Sequence, residues 1–316
     1  MKSSDPLRAI AVEHGSFRRG EALTHGVDDA ALRRAVRAGT LVKVRHGTYA
    51  FADEWNGLDE SGRHLVLTKA VLRVMGDEVA ASHHSACLMH RMEMWDVDLG
   101  EAHVTRLDGG AGRTEGGVVH HEGLSLDGDL VRIGGHLVVQ PARAALESAL
   151  LSDVEHGLVV VNSGLHQRLF TREDLEAQHA LMRSWPRAGH LQLLTRMADG
   201  RAESVAESRS LHLFWTQGLP KPELQYHVYD GRGDLVGITD FAWPELGLLG
   251  EFDGKVKYQR YLRPGEEPGD AVFREKQRED LLRRVTGWSM VRLTWSDLYT
   301  PVATAAMIRS MMRRAA

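Results

Sequence analysis

The sequence predicts a multidomain protein of mixed α and β structure, with α+β and α/β regions following one another along the chain. Its 316 residues exceed the usual size of one domain. Residues 6–52 have the pattern of three short helices and a hairpin, whereas residues 203–297 have the order αβββαβ. We therefore predict three domains, at residues 1–55, 56–198 and 199–316.

The composition is typical of a globular protein, with 43% hydrophobic and 26% charged residues. No apolar run reaches the roughly 18 residues of a membrane span, and the N-terminus lacks the pattern of a secretion signal. The single cysteine, Cys87, excludes an internal disulfide and a multi-cysteine zinc cluster. We therefore expect a cytoplasmic protein. Because the net charge is −4, any binding to nucleic acid must come from a local basic patch.

Residues 6–52 predict a winged helix-turn-helix domain. Apolar residues at helical spacing begin the first helix, and Gly26 ends the second. The pair Asp28–Asp29 provides an N-cap for a third helix, which Gly39 ends. Two β-rich runs then flank a turn at residues 45–47, as in a β-hairpin.

The charge of this segment indicates a reader of DNA. Residues 1–50 contain nine basic and five acidic residues, so they carry +4 and the rest of the chain carries −8. We predict that the third helix enters the major groove and that the hairpin contacts phosphates, although a solvated charged face is the alternative. The predicted DNA-binding residues are Arg33, Arg34, Arg37, Lys43, Arg45 and His46.

The same stretch resembles the winged-helix domain of the AbiEi family of type IV antitoxins. The residues that carry the resemblance are Ala22, Gly26-Val27, Leu32-Arg33-Arg34-Ala35, Gly39-Thr-Leu and Val44-Arg45-His-Gly47-Thr-Tyr49. It implies a transcriptional autorepressor that binds DNA, with a cognate toxin as a possible partner. A symmetric operator would further require a homodimer.

The middle region predicts a mixture of helices, at 62–75, 142–150 and 172–182, with strands such as 101–107 and 137–139. It also contains two histidine pairs, His83-His84 and His120-His121. Because these pairs lack cysteine partners and a His-x3-His spacing beside a carboxylate, we interpret them as core or surface histidines rather than zinc ligands.

Acidic residues mark the C-terminal region. Asp240 lies near the end of the second predicted strand, and Glu251, Asp253 and Lys255 follow at alternate positions on and just beyond the third. The strand period of two places these three side chains on one face. Glu207, on the preceding helix, adds a further carboxylate.

Several carboxylates beside a lysine form an oxygen-rich site that suits Mg²⁺ or Mn²⁺. Such an ion can polarise a phosphodiester, and the lysine can stabilise developing charge. We predict Asp240, Glu251, Asp253 and Glu207 as metal ligands and catalytic residues, with Lys255 assisting. The alternative is a structural acid cluster neutralised by Arg278 or Lys276.

The order of elements resembles the PD-(D/E)XK nuclease superfamily, and most of all its very-short-patch-repair-like branch. Beside Glu207, the resemblance rests on Asp240 in ITDFAWP, Glu251-Phe-Asp253-Gly-Lys255 and Gly287-Trp288…Arg292-Leu-Thr-Trp295. It implies a restriction-endonuclease-like domain with Asp240 and Glu251 as ligands. The family lysine normally stands where this chain has Asp253, so either the frame is Asp253-Gly-Lys255 or a later base is used.

Three functional hypotheses follow. The main one is a DNA-binding protein whose tail hydrolyses DNA phosphodiesters with Mg²⁺ or Mn²⁺. The second is an AbiEi-like antitoxin and autorepressor whose nuclease fold is non-catalytic and serves dimerisation or partner contact. In the third, the tail acts on RNA, because the metal chemistry would be the same.

Overall fold

The structure is a computed structural model that describes residues 6–123, 128–254 and 268–312. Within these residues, no helix is long and apolar enough to cross a membrane.

The chain divides into two compact units. The first comprises Met1–Asp153 and Leu169–Leu191, and the second comprises Val154–Arg168 and Gln192–Ala316. The finer division into three domains stays a prediction.

The N-terminal part of the first unit consists of helices and a three-stranded antiparallel sheet in the order β1-β3-β2. Its core contains Leu7, Phe17 and Leu32. This arrangement is consistent with the predicted winged helix, although the two-residue strand β1 was not predicted. The elements are α1 (Pro6–His14), β1 (Phe17–Arg18), α2 (Arg19–Thr24), α3 (Asp29–Arg37), β2 (Leu41–Arg45) and β3 (Thr48–Phe51).

The rest of the first unit surrounds a mixed six-stranded sheet in the order β6-β7-β5-β4-β9-β8. Strands β5 and β7 are parallel, as are β4 and β9. The three helices predicted from the sequence here correspond to α5, α7 and α9. The elements are α4 (Ala52–Asn56), α5 (Glu60–Met75), β4 (Val79–Ala81), α6 (His83–Met89), β5 (Ala102–Arg106), β6 (Arg113–Glu115), β7 (Val118–His121), β8 (Leu130–Ile133), β9 (His136–Val139), α7 (Pro141–Ala149) and, after α8 (Val154–His166) of the second unit, α9 (Arg172–Met182).

The second unit contains a four-stranded sheet in the order β10-β11-β12-β13, in which β12 and β13 are parallel. From α11 to β13 the elements follow the predicted order αβββαβ. The single closing helix predicted from Ser296 is instead two helices, because Pro301 begins a new one. Beside α8, the elements are α10 (Leu191–Met197), α11 (Val205–Thr216), β10 (Glu223–Tyr229), β11 (Leu235–Trp243), β12 (Leu248–Phe252), α12 (Pro268–Thr286), β13 (Ser289–Leu293), α13 (Trp295–Leu298) and α14 (Pro301–Met311).

Alternation along β11 and β12 assigns their side chains to the two faces of this sheet. Ala242 and Leu249 pack against Leu282 of α12. On β11, Phe241 instead meets Phe214 of α11, with ring centroids 5.2 Å apart. Side chains two residues from Ala242 and Leu249 therefore lie on the face covered by α12.

Candidate functional site

Helix α3 begins at a well-formed cap and is anchored by one apolar side chain. The side chain of Asp28 accepts a hydrogen bond from the backbone N–H of Ala31 at 2.7 Å, as an N-cap residue does. Leu32 is buried and fixes the inner face of the helix in the core. Gly39, with φ of +70°, ends the segment in the left-handed region that favours glycine.

The outer face of α3 presents arginines to solvent. Arg33, Arg34 and Arg37 are exposed. The pKa of Asp29 is lowered first by hydrogen bonds from Arg19 and further by the charge of Arg33. Within the described residues, the side chains of Arg34 and Arg37 make no hydrogen bond or ion pair. Their charges remain available for an anionic partner.

The β2–β3 hairpin places its three predicted contact residues differently. Lys43 and His46 are exposed, and Gly47 forms the turn with φ of +70°. Arg45 is half-buried, and its Nε and Nη1 atoms have no hydrogen-bond partner within the described part of the chain. Burial lowers the pKa of this guanidinium. A phosphate contact by Arg45 would therefore require its side chain to turn outward, whereas Lys43 and His46 need no such movement.

In the second unit, continuing the register of the antiparallel strands β11 and β12 by one residue brings Asp240 opposite Glu251. The ladder between β11 and β12 ends at Phe241 and Gly250, and the next pair in the same register is Asp240 with Glu251. Directly opposed side chains lie on the same face, so the two carboxylates share the face covered by α12. At this point Asp240 Oδ2 accepts a hydrogen bond of 2.7 Å from the backbone N–H of Phe252, so the aspartate bonds the neighbouring strand itself.

Glu207 is buried in the first turn of α11. Its carboxylate accepts hydrogen bonds from the Ser204 hydroxyl at 2.7 Å, the Glu203 backbone N–H at 3.0 Å and Gln225 Nε2 at 3.1 Å. Burial raises the pKa of Glu207, and the negative charge of Asp240 raises it further. The two carboxylates therefore interact, although Glu207 is mainly engaged in capping its own helix.

Arginines from α12 and β13 contact the predicted acids. Arg278 donates a hydrogen bond to Glu251 Oε1, and its Nη1 donates to the Ile238 carbonyl at 3.1 Å. Arg292 lies 3.9 Å from both Glu251 and Asp253. Lys255 and the side chain of Lys276 lie outside the described part of the chain. The arginine contact on Glu251 was the alternative that the sequence had left open.

These contacts decide how well the acids fit Mg²⁺ or Mn²⁺. The donor set has the right chemistry, since carboxylate oxygens are what these ions prefer. The described carboxylates, however, do not form a group of three with ligand oxygens within 4.8 Å of one another. Because Arg278 is bonded to Glu251, an ion at this position would have to displace a guanidinium. Binding of a divalent ion by these acids therefore stays a prediction, with Arg278 as the competitor for Glu251.

The two histidine pairs of the middle region lie in the first unit and are not equivalent. His83, His84 and His120 are buried, and His121 is half-buried. The sequence offered no signal that joined these pairs to His103, which lies on a different strand. Yet His83, His103 and His121 are the one group of three in the described chain whose metal-ligating atoms all approach within 4.8 Å.

Residues 6–51 combine short helices, a hairpin and exposed basic side chains, an arrangement consistent with a winged helix. Residues 5–52 match the family model described as "Transcriptional regulator, AbiEi antitoxin". Over most of its length the chain is similar to two Mycobacterium tuberculosis proteins described as uncharacterized, MT2308 of strain CDC 1551 / Oshkosh and Rv2248 of strain ATCC 25618 / H37Rv. Each is 29% identical over 284 residues, which are 89% of this chain and 95% of the relative. The crystal structure of RV2827C from Mycobacterium tuberculosis aligns with a TM-score of 0.37 and 17% identity, over 64% of this chain and 80% of that one.

Proposed function

We propose that this protein is a DNA-binding transcriptional regulator of the AbiEi antitoxin type. The observation that carries the proposal is the row of exposed arginines on α3, within the segment that matches this family. A helix of this kind is suited to the major groove, where arginine donates to guanine edges and to phosphates.

The surroundings of α3 support the same assignment. The Asp28 cap and the buried Leu32 fix the helix in the fold, so binding has to order only the arginine side chains and not the helix backbone. Lys43 and His46 on the hairpin add exposed positive or titratable groups for the adjacent backbone. The proposal gives phosphate positioning to the hairpin, and contacts with both bases and phosphates to the arginines of α3.

In this proposal the C-terminal unit is non-catalytic. The contact between Arg278 and Glu251 supports this, because the arginine is hydrogen-bonded to a carboxylate that a metal-dependent nuclease would need as a ligand for its ion. Autorepression of its own promoter and contact with a cognate toxin are the roles that follow. The homodimer expected from a symmetric operator stays a prediction.

The test is DNA binding by the full chain, measured by fluorescence anisotropy over a series of salt concentrations. The DNA is the region upstream of the gene, with a scrambled duplex for comparison. We expect Arg34→Ala and Arg37→Ala each to weaken binding and to lower the slope of log K against log salt by about 1. The matched control is Arg172→Ala, an exposed arginine of the same unit that pairs with Glu176. Unchanged affinity and slope in the α3 variants would contradict the proposal.

A second candidate function is metal-dependent hydrolysis of phosphodiesters in the C-terminal unit. The specific observation in its favour is that the strand register places Asp240 and Glu251 on one face. The charge of Asp240 also raises the pKa of Glu207, so these two carboxylates interact. The full chain is incubated with plasmid, single-stranded DNA and RNA in Mg²⁺, Mn²⁺ or chelator. Cleavage that needs the ion and is lost in Asp240→Asn and Glu251→Gln would support this function. Equal cleavage by variants and wild type, or no cleavage at all, would leave the non-catalytic proposal standing.

A further inference from the structure

Three histidines from separate elements converge in the first unit. His103 lies on β5 and His121 on β7, and the parallel register places Thr105 beside His121. Positions 103, 105 and 121 therefore share one face of the sheet. His83, the first residue of α6, approaches the same face, and its ring stacks on that of His121 with centroids 3.6 Å apart.

The ring nitrogens are spaced as metal ligands are. His103 Nδ1 and His121 Nε2 are 2.9 Å apart, and one ligating nitrogen from each of the three residues lies within 4.8 Å of the others. In a tetrahedral site with bonds of about 2.0 Å, ligand nitrogens are about 3.3 Å apart. The rings are nearly parallel, with 16° between the planes of His83 and His121 and 17° between those of His103 and His121, so metal binding would require them to rotate out of this stack before all three lone pairs point at one ion. On metal binding, the hydrogen shared by His103 Nδ1 and His121 Nε2 would move to the other nitrogen of the ring that carries it. Both rings would then be neutral ligands, and neither would have to release a proton.

The backbone of His83 is held in an unusual conformation at this point. His83 is 6% exposed and has φ of +49°, in the left-handed region that a residue with a Cβ rarely adopts. Such strain costs about 1 kcal/mol or more and persists where the surroundings impose it. Here it directs the histidine ring from the start of α6 onto His121.

A carboxylate stands behind His83. Glu147 Oε2 accepts a hydrogen bond of 3.4 Å from the backbone N–H of His83 and lies 3.6 Å from its Nδ1, whereas Nδ1 itself contacts Ser82 Oγ at 3.0 Å. Glu147 Oε1 accepts a 2.7 Å hydrogen bond from Arg143 Nε. Arg143 also bonds Asp129 at 2.6 Å, so this buried network contains two carboxylates and one guanidinium. A carboxylate behind a ligating histidine is the usual means of fixing its tautomer and strengthening it as a ligand.

The neighbouring histidines are occupied elsewhere or directed away. His84 Nδ1 contacts Ser148 Oγ at 2.7 Å, and its ring lies 5.3 Å from that of His103. His120 comes directly before His121 on β7 and therefore points to the opposite face of that strand. The cluster is thus defined by His83, His103 and His121 alone.

We propose that His83, His103 and His121 bind one transition-metal ion of the Zn²⁺ class, with Glu147 as a positioning residue that acts through His83. Three imidazole nitrogens select such ions over Mg²⁺ or Ca²⁺, which prefer oxygen. Three protein ligands leave the fourth position of a tetrahedral ion for water or an exogenous ligand. This site is independent of the acidic residues in the second unit.

The experiment uses the full chain without a histidine tag, stripped with chelator and titrated with Co²⁺ and Zn²⁺. We expect one ion per chain, visible d–d absorption of tetrahedral Co²⁺, and a rise in melting temperature with Zn²⁺. His121→Asn should weaken the affinity by more than about 100-fold, and Glu147→Gln by about 10- to 100-fold. The matched control is His120→Asn, next to His121 on the opposite face of the same strand, which should keep the absorption and the affinity.

X-ray absorption of the Zn²⁺-loaded wild type provides a readout that needs no variant. Three imidazole ligands would support the site even if His121→Asn failed to fold. The proposal is overturned if the wild type binds no ion stoichiometrically. It is also overturned if His120→Asn and His121→Asn lose the ion equally, because His120 points to the opposite face of β7 and is not a ligand of the proposed site.

Discussion

Arg143 is a fully buried arginine whose charge is balanced by two carboxylates. Its side chain is 2% exposed, and it bonds both Asp129 and Glu147. Removing the guanidinium would leave two buried carboxylates without their principal counter-charge, which is far more costly than losing a surface pair. We expect Arg143→Met to lower the free energy of unfolding by about 3–5 kcal/mol, measured by urea denaturation.

Arg143→Lys should recover only part of this loss, because an ammonium cannot reproduce the fork that reaches both acids. Arg172→Ala is the comparison at an exposed i,i+4 pair, where we expect less than about 1 kcal/mol. Equal effects of the substitutions at 143 and 172 would show that the buried network contributes little.

Cys87 offers a second test at the level of one residue. It is buried in α6, its Sγ contacts the Ala144 carbonyl at 3.3 Å, and burial raises the pKa of the thiol. A protonated, inaccessible thiol is a poor nucleophile. We expect a thiol-specific reagent to label the native protein only slowly, with the rate rising in step with global unfolding as urea is added. Immediate labelling in buffer would contradict the packing of α6.

At the level of elements, the N-cap of α3 makes a measurable contribution to the stability of the fold. Asp28→Ala removes the side-chain acceptor for the Ala31 N–H and should cost about 1 kcal/mol of stability. Asp28→Asn keeps an oxygen acceptor and should cost much less. Thermal unfolding of the two variants makes the comparison, and an equal loss in both would argue that charge near the helix start matters more than the cap bond.

Local signals explain which elements the sequence could predict. Asp28, Gly39 and Gly47 act within a few residues of their own position, so the helices and the hairpin of the first fifty residues could be placed. The same holds for the αβββαβ order of the second unit. The two-residue β1 carries too little pattern to be recognised, and the six-stranded order of the middle sheet depends on pairings between distant segments.

For the candidate sites too, the sequence could predict what depends on local signals and could not predict what depends on contacts between distant segments. The strand period predicts that Glu251, Asp253 and Lys255 share one face, which stays a prediction because Lys255 lies outside the described residues. Continuing the β11–β12 register by one residue places Asp240 opposite Glu251. Whether an ion or an arginine meets Glu251 depends on how α12 packs, which the sequence left as two alternatives. The pairing of β5 with β7, which brings His103 to His121, is a tertiary contact, and no spacing in the sequence indicated it.

At the scale of the whole molecule, charge is distributed unevenly between segments with different roles. The first fifty residues carry +4, whereas the rest carries −8. In the proposed function, a basic segment on an acidic chain would bind DNA through local contacts, whereas the net negative charge of the remainder would disfavour nonspecific binding. The proposed functions of the two units should therefore respond to substitutions independently, provided that sites without shared partners are energetically additive.

Arg278 provides the sharpest test of this independence. If the guanidinium on Glu251 is what keeps the second unit from holding a divalent ion, Arg278→Gln should leave a buried carboxylate without its closest counter-charge, and that carboxylate should attract an ion. We expect calorimetry to show weak Mn²⁺ binding by the wild type and at least about tenfold tighter binding by Arg278→Gln, a gain of about 1.4 kcal/mol. The additional substitution Glu251→Gln should abolish that gain, whereas promoter affinity should stay at the wild-type value in both variants. Identical Mn²⁺ isotherms for the wild type and Arg278→Gln would show that the arginine does not control the site. A parallel loss of DNA binding would show that the two units are coupled.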